Sequence, residues 1–219
     1  MPLVDELISD GWLKSPHIIE AFKTIKRADF LPDDLKELTE FNEALAIGYG
    51  QTISQPLVVA FMLEQLQPQP GDKILDVGSG SGWTTALLAE IVGSKGKVIA
   101  IEVIPELMEF GKKNVERYNF IEKGVVEFIC ADGSKGYPKH ASRPELAEGF
   151  DKILCSASAP ELSPAWKEQL KIGGRIVTPM GSSIWLFIKN PPAGEEKDGF
   201  VFEEIEYPGF VFVPLITGR

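Results

Sequence analysis

The amino-acid sequence predicts an α/β fold, Rossmann-like and doubly wound, with a mostly parallel sheet, an antiparallel C-terminal edge and added N-terminal helices. Three observations carry this expectation. Short apolar runs rich in β-branched residues alternate with helical patterns from Lys73 to Leu170, the signature of a parallel sheet covered on both faces. The first run ends in a glycine-rich turn, Gly78-Ser79-Gly80-Ser81-Gly82, that leads directly into a helical pattern. The last three runs are separated by turns alone, so that edge should be antiparallel.

Taken in order, the stretch to about Leu38 reads as helical. Pro16 to Ala28 carries Ile18, Ile19, Phe22 and Ile25 at helical spacing, and Ser15-Pro16 supplies a cap and a first-turn proline. A Gly- and Gln-rich segment follows, then a helix from Pro56 to Leu66 with Val58, Val59, Met62, Leu63 and Leu66 along one side. The turn Pro68-Gln69-Pro70-Gly71 launches the sheet. Strands are expected at Lys73 to Val77, Gly96 to Glu102, Val125 to Cys130 and Phe150 to Cys155, with helices at Trp83 to Val92, Pro105 to Asn119 and Glu161 to Leu170. The polar connection Lys135 to Gly149, about 15 residues, has the length at which loops are functional or mobile. The final strands are Arg175 to Pro179, Ser183 to Ile188 and Phe200 to Tyr207. With no internal repeat, residues 1–219 read as a single domain: an N-terminal helical segment over 1–70 and a Rossmann-like core over 71–219.

Composition sets limits on function. A chain of 219 residues that is 44% hydrophobic buries one substantial core. Its formal net charge of -10 argues against nucleic acid as a partner, since phosphate binding rests on clustered Lys and Arg. The start, Met1-Pro2-Leu3-Val4-Asp5-Glu6, is acidic where a signal peptide is basic, and no apolar run approaches the ~20 residues of a membrane span. A cytoplasmic protein with no membrane partner is expected. Cys130 and Cys155 fall at strand ends without metal-ligand spacing and read as small buried hydrophobes. His17, at a helix start, and His140, in a polar loop, belong to no constellation, so neither a metal site nor a Ser-His-Asp triad is expected.

The glycine spacing separates two cofactor classes. A dinucleotide fingerprint reads G-x-G-x-x-G, whereas Gly78, Gly80 and Gly82 read G-x-G-x-G. The tighter form resembles the first motif of the class I methyltransferases, whose cofactor is S-adenosyl-L-methionine; alone, such a triplet is also an ordinary Gly-rich turn. Glycine lets the backbone adopt positive φ close to a ligand, and the helix that follows offers N–H groups to a carboxylate. A second strand ends in Glu102, about 20 residues past the glycines, where a ribose diol needs an acceptor. A third runs into Asp132-Gly133: Asp132 is suited to accept from the adenine amino group, and Gly133 admits the ring.

The run Gly48-Tyr49-Gly50-Gln51-Thr52-Ile53-Ser54-Gln55-Pro56, the Gly78 loop, Asp132-Gly133, Gln169-Leu170-Lys171-Ile172-Gly173-Gly174-Arg175 and Phe212-Val213-Pro214-Leu215 together resemble the protein-L-isoaspartate O-methyltransferase family. The likeness extends from Arg27-Ala28-Asp29-Phe30-Leu31-Pro32 to Leu215. It implies methyl transfer from S-adenosylmethionine to the α-carboxylate of isoaspartyl residues in damaged proteins, leaving S-adenosyl-L-homocysteine and an ester that collapses to a succinimide and reopens partly to aspartate. It implies a site as well. Gln51, Thr52, Ile53, Ser54, Gly78, Ser79, Gly80, Glu102, Asp132 and Gly133 would lie at the cofactor, and Ile53, Gln55 and Val213 at the substrate. Ser54 would hold the acceptor carboxylate as an orienting donor, not as a nucleophile. The implied partners are isoaspartyl-containing peptides and proteins, with a monomer expected.

A carboxylate of pKa about 4 is already ionised at neutral pH, so this acceptor needs no general base, and none is visible between Gln51 and Pro56. By itself Ser54 reads equally as a helix cap ahead of Pro56, worth about 1 kcal/mol. Phe41-Asn42 stands where the family usually has an aromatic residue and an aspartate, and Trp83 where it has a tyrosine. The link from Lys139 to Gly149 is longer than usual, and the chain stops soon after Leu215. Two other readings share these residues: a methyltransferase for another carboxylate or small-molecule acceptor, and a non-catalytic cofactor-binding module.

Overall fold

The structure, a computed structural model, describes residues 2–138, 146, 148–192 and 199–218. His140 and most of the link 139–149 lie outside the described residues. Two helices, α1 (Leu3–Ser9) and α2 (Pro16–Thr24), are followed by two 3-10 turns, Arg27–Phe30 and Asp33–Leu38. A small hairpin, β1 (Leu45–Gly48) and β2 (Gln51–Ile53), leads into α3 (Pro56–Leu66). The core then runs β3 (Lys73–Val77), α4 (Trp83–Val92), β4 (Lys97–Glu102), α5 (Pro105–Glu116), β5 (Val126–Cys130), β6 (Phe150–Cys155), α6 (Pro164–Gln169), β7 (Leu170–Met180), β8 (Ser183–Asn190) and β9 (Val201–Pro208).

These strands form a seven-stranded sheet in the order β5-β4-β3-β6-β7-β8-β9. β3 to β7 pair in parallel, and β8 and β9 add antiparallel, as the helix-free turns predicted. Adjacent residues along each strand serve opposite faces. Ile74, Val98, Leu154 and Val177 pack with the N-terminal helices, α3 and α4. Leu75, Ile99, Ile153 and Ile176 pack with Phe150 and with Trp166 of α6. Because β3 lies between β4 and β6, the chain switches direction at its C-terminal end, and the crevice there is where open α/β sheets bind ligands.

Several boundaries differ from the periodicity. α2 stops at Thr24, not Ala28, because Ile25 turns extended (φ -87, ψ 107) and the next N–H, of Lys26, is drawn to the Tyr118 hydroxyl at 2.9 Å. Ser15 does not cap α2: its hydroxyl donates to Glu64 Oε2 on α3 at 2.7 Å. The last helix is only Pro164–Gln169, capped by Ser163 Oγ, which accepts from Ala165 N–H at 3.2 Å. β7 begins immediately at Leu170 and bulges, its register passing from Phe150↔Leu170 to Lys152↔Arg175, with Gly173 at φ +81 in the excess loop. Cys155 is buried, but Cys130 is exposed, since it ends β5 at the edge of the sheet.

Candidate active site

The glycine turn after β3 is held from below. Gly78 and Ser79 N–H donate to Ile101 O at 2.8 and 3.2 Å, and Gly80 N–H donates to Glu102 Oε2 at 3.0 Å. Gly78, Gly80 and Gly82 have φ of +74, +51 and +83, the region that L side chains avoid. Gly82 also meets a packing demand: a Cβ there would lie 2.7 Å from the Gly111 carbonyl of α5. The loop's own N–H groups are therefore largely used within the protein. Ser79, whose buried hydroxyl has no partner, and the first turn of α4 line the crevice, and the first N–H groups of that helix have no intrahelical acceptor.

Glu102 is 6% exposed and does more than the sequence suggested. Its Oε1 accepts from Val103 and Ile104 N–H at 2.9 and 3.0 Å, while Oε2 fixes Gly80. Oε1 is thereby filled, while Oε2 keeps a second lone pair that can receive a hydroxyl of a diol. Asp76, fully buried at the end of β3, accepts from the Thr85 and Thr84 hydroxyls at 2.6 and 3.2 Å and thereby ties the strand to α4. Burial pushes its pKa up to about 6, against the downward pull of those two hydroxyls.

The opposite wall comes from the N-terminal segment. Gln51 to Ser54 leave the hairpin and enter α3, facing the glycine loop; Ile47 of β1 comes within 3.4 Å of where a Gly80 Cβ would lie. Ser54 does not cap α3. The N-cap is Gln55, without a side-chain cap bond, and the orphan Leu57 N–H donates instead to Asn42 Oδ1 at 3.0 Å. Ser54 instead lines the cleft. Gln55 Nε2 in turn donates to the Asn42 carbonyl at 2.8 Å. Asn42 is thus a cap supplied from a distant loop.

A cleft joins these walls. It is lined by ten of the residues expected: Gln51, Thr52, Ile53, Ser54, Gly78, Ser79, Gly80, Glu102, Gly133 and Val213. Gln55 and Asp132 do not line it. Gln55 is turned to Asn42. The Asp132 carboxylate is occupied by the Ser134 N–H and hydroxyl at 3.0 and 2.6 Å and by Gly218 N–H at 2.8 Å, with Lys135 Nζ at 3.4 Å. Those bonds to Ser134, Gly218 and Lys135 outweigh burial and hold its pKa below the ordinary carboxylate value. Gly133 is required by packing, since a Cβ there would lie 2.5 Å from Val77 Cγ1. Sequence reasoning missed Trp83, Ser156, Ala157, Leu215 and Ile216. The small-residue run Ser156-Ala157-Ser158-Ala159 at the end of β6 was the available signal. The C-terminal tail crosses the cleft, with Ser158 N–H donating to Val213 O at 2.8 Å and Leu215 N–H to Ser158 O at 2.9 Å.

The residues present suit S-adenosylmethionine: a hydroxyl and helix N-terminus for the methionyl carboxylate, an acid for the ribose, and small or apolar surfaces at Ala131, Gly133 and Leu215 for the base. Fold and cleft together define a Rossmann-like methyltransferase that uses this cofactor. The model of the protein-L-isoaspartate (D-aspartate) O-methyltransferase family matches residues 1–218, and the chain belongs to that family. Proteins named protein-L-isoaspartate O-methyltransferase from Methanopyrus kandleri and Pyrococcus horikoshii are 39% and 41% identical, covering 98% and 97% of this chain and 89% and 90% of theirs. One solved structure, a protein-L-isoaspartate O-methyltransferase 27% identical, superposes with a TM-score of 0.79 over 97% of this chain and 64% of its own. Another, from Plasmodium falciparum and in complex with S-adenosyl-L-homocysteine, shares the fold at a TM-score of 0.82, with 22% identity, 99% of this chain and 97% of that one covered.

Proposed function

We propose that this chain transfers a methyl group from S-adenosylmethionine to the α-carboxylate of isoaspartyl residues in peptides and damaged proteins, with Ser54 orienting the acceptor. The observation that carries this reading is the chemistry of the wall. Among the described residues lining the cleft the sole ionisable side chain is Glu102, and both of its oxygens already accept backbone N–H groups. An amine or alcohol acceptor must lose a proton during transfer and calls for a base. A carboxylate, with a pKa of about 4, arrives ionised.

When bound, the cofactor supplies a methyl group on a positively charged sulfur. The protein's part is placement. Ser79 and the first turn of α4 receive the methionyl carboxylate, Glu102 the ribose, and Ala131 and Gly133 flank the base; Asp132 serves that side by fixing the tail at Gly218. On the substrate side the Ser54 hydroxyl donates to one carboxylate oxygen and leaves the other in line with the methyl carbon. Thr52, Ile53 and Val213 close the space and exclude water, so that attraction between anion and sulfonium is not screened. Gln55 acts at one remove, through Asn42.

The test uses labelled methyl donor and a matched pair of peptides, one with aspartate and one with isoaspartate. Base-labile label should appear on the isoaspartyl peptide alone, and Ser54→Ala should lower the rate about 100-fold, the scale of losing one preorganised donor. Equal labelling of both peptides overturns the acceptor assignment, and an unimpaired Ser54→Ala overturns the role of Ser54.

A further inference from the structure

We infer that Arg27 is a positioning residue for methyl transfer, a buried cation that holds the Ser54 wall against the cleft; the inference rests on the role given to Ser54 above. Arg27 opens the first 3-10 turn and is 6% exposed, far from the surface an arginine usually occupies. Its guanidinium donates from Nη1 to the carbonyls of Thr39 and Phe41 at 3.2 and 2.9 Å, and from Nη2 to Glu43 O at 2.7 Å and, at the long distance of 3.5 Å, to Ser54 O. One planar fork thus joins two stretches of chain, the loop 39–43 and the entry to α3.

The same loop is gripped from its other side. Asn42 accepts Leu57 N–H on its side chain and the Gln55 amide on its carbonyl, so Ser54, Gln55 and Leu57 are all tied to Arg27 or to the loop it anchors. Arg27 has a second route to the cleft. Its guanidinium carbon lies 5.5 Å from the centroid of the Trp83 ring, and Trp83 lines the cleft. Burial lowers the Arg27 pKa to about 10, with Glu40 opposing, so the cation persists at neutral pH. Lysine keeps the charge but cannot reproduce a planar fork with several donors. A displacement of about 1 Å in the Ser54 backbone is enough to cost up to about 100-fold in rate.

A double-mutant cycle decides between positioning and general support of the fold. Arg27→Lys, Ser54→Ala and the double variant are assayed with the isoaspartyl peptide, alongside S-adenosylhomocysteine affinity and thermal unfolding. Arg27→Lys should reduce kcat about 30-fold with KM changed less than about threefold, and less than about twofold further in the Ser54→Ala background, because near-attack placement is lost once. Asn42→Ala, which loosens the same loop from its other side, should show the same dependence on Ser54 and serves if Arg27→Lys does not fold. Equal fold-losses in both backgrounds for the variant assayed overturn the inference while leaving the Ser54 reading intact. Full activity of Ser54→Ala overturns both.

Discussion

At the scale of residues, the site is built from polar groups whose partners are mainly backbone. Asp76 is the group with the clearest thermodynamic signature. Its folded pKa of about 6 lies above the unfolded value of 3.8, so the folded state holds the proton more tightly. Stability from this group is present in full below about pH 4 and declines as pH rises toward 6, by on the order of 3 kcal/mol. Denaturant unfolding of the cofactor-free protein and of Asp76→Asn at several pH values should show the stability difference shifting against the parent between about pH 4 and 6 and level above. A difference that shifts in its favour over that range would mean a lowered pKa. The glycines were readable because positive φ is a local demand, and Gly78, Gly80 and Gly82 all meet it. Arg27 and Asn42 were not, because their partners are main-chain groups of other segments, and nothing in residue type or spacing marks a backbone carbonyl. Gly111 was hidden for the same reason: its glycine is required by the approach of α5 to the Gly80 carbonyl, a tertiary fact.

Among elements, the central strands β3 and β4 were legible because each is a short apolar run buried on both faces, and the antiparallel edge because turns replaced helices. The hairpin of β1 and β2 escaped notice. Its strands are short, and its turn, Gly48-Tyr49-Gly50, is compact, with φ of +93, +56 and +71 in succession. Tyr49 stands exposed there in a conformation that costs a non-glycine residue about 1–2 kcal/mol. The C-terminal tail is the other element whose position follows from tertiary contacts, through Ser158 and Asp132. Truncation after Phe212 removes Val213 to Ile216 from the cleft and the Gly218 bond to Asp132. It should weaken S-adenosylhomocysteine binding about tenfold or more by calorimetry, the worth of a buried apolar wall and one charge-assisted hydrogen bond. Unchanged affinity would remove the tail from the cofactor site.

The whole molecule has a division of labour. The sheet presents β3, β4 and β6 side by side, so the glycine turn, Glu102 and Ser156 meet at one end of the parallel strands. The N-terminal helices and hairpin supply the facing wall with Ser54. This arrangement sets the glycine turn and Glu102 against the Ser54 wall and, among the described residues, places no free base between them. The enzyme therefore positions an acceptor already ionised. The direct measurement is kcat for the isoaspartyl peptide as a function of pH at saturating cofactor. A plateau from about pH 6.5 to 9 is expected, with loss only in acid as carboxylates protonate. A rate that climbs through neutrality with unit slope would reveal an enzyme base and contradict it.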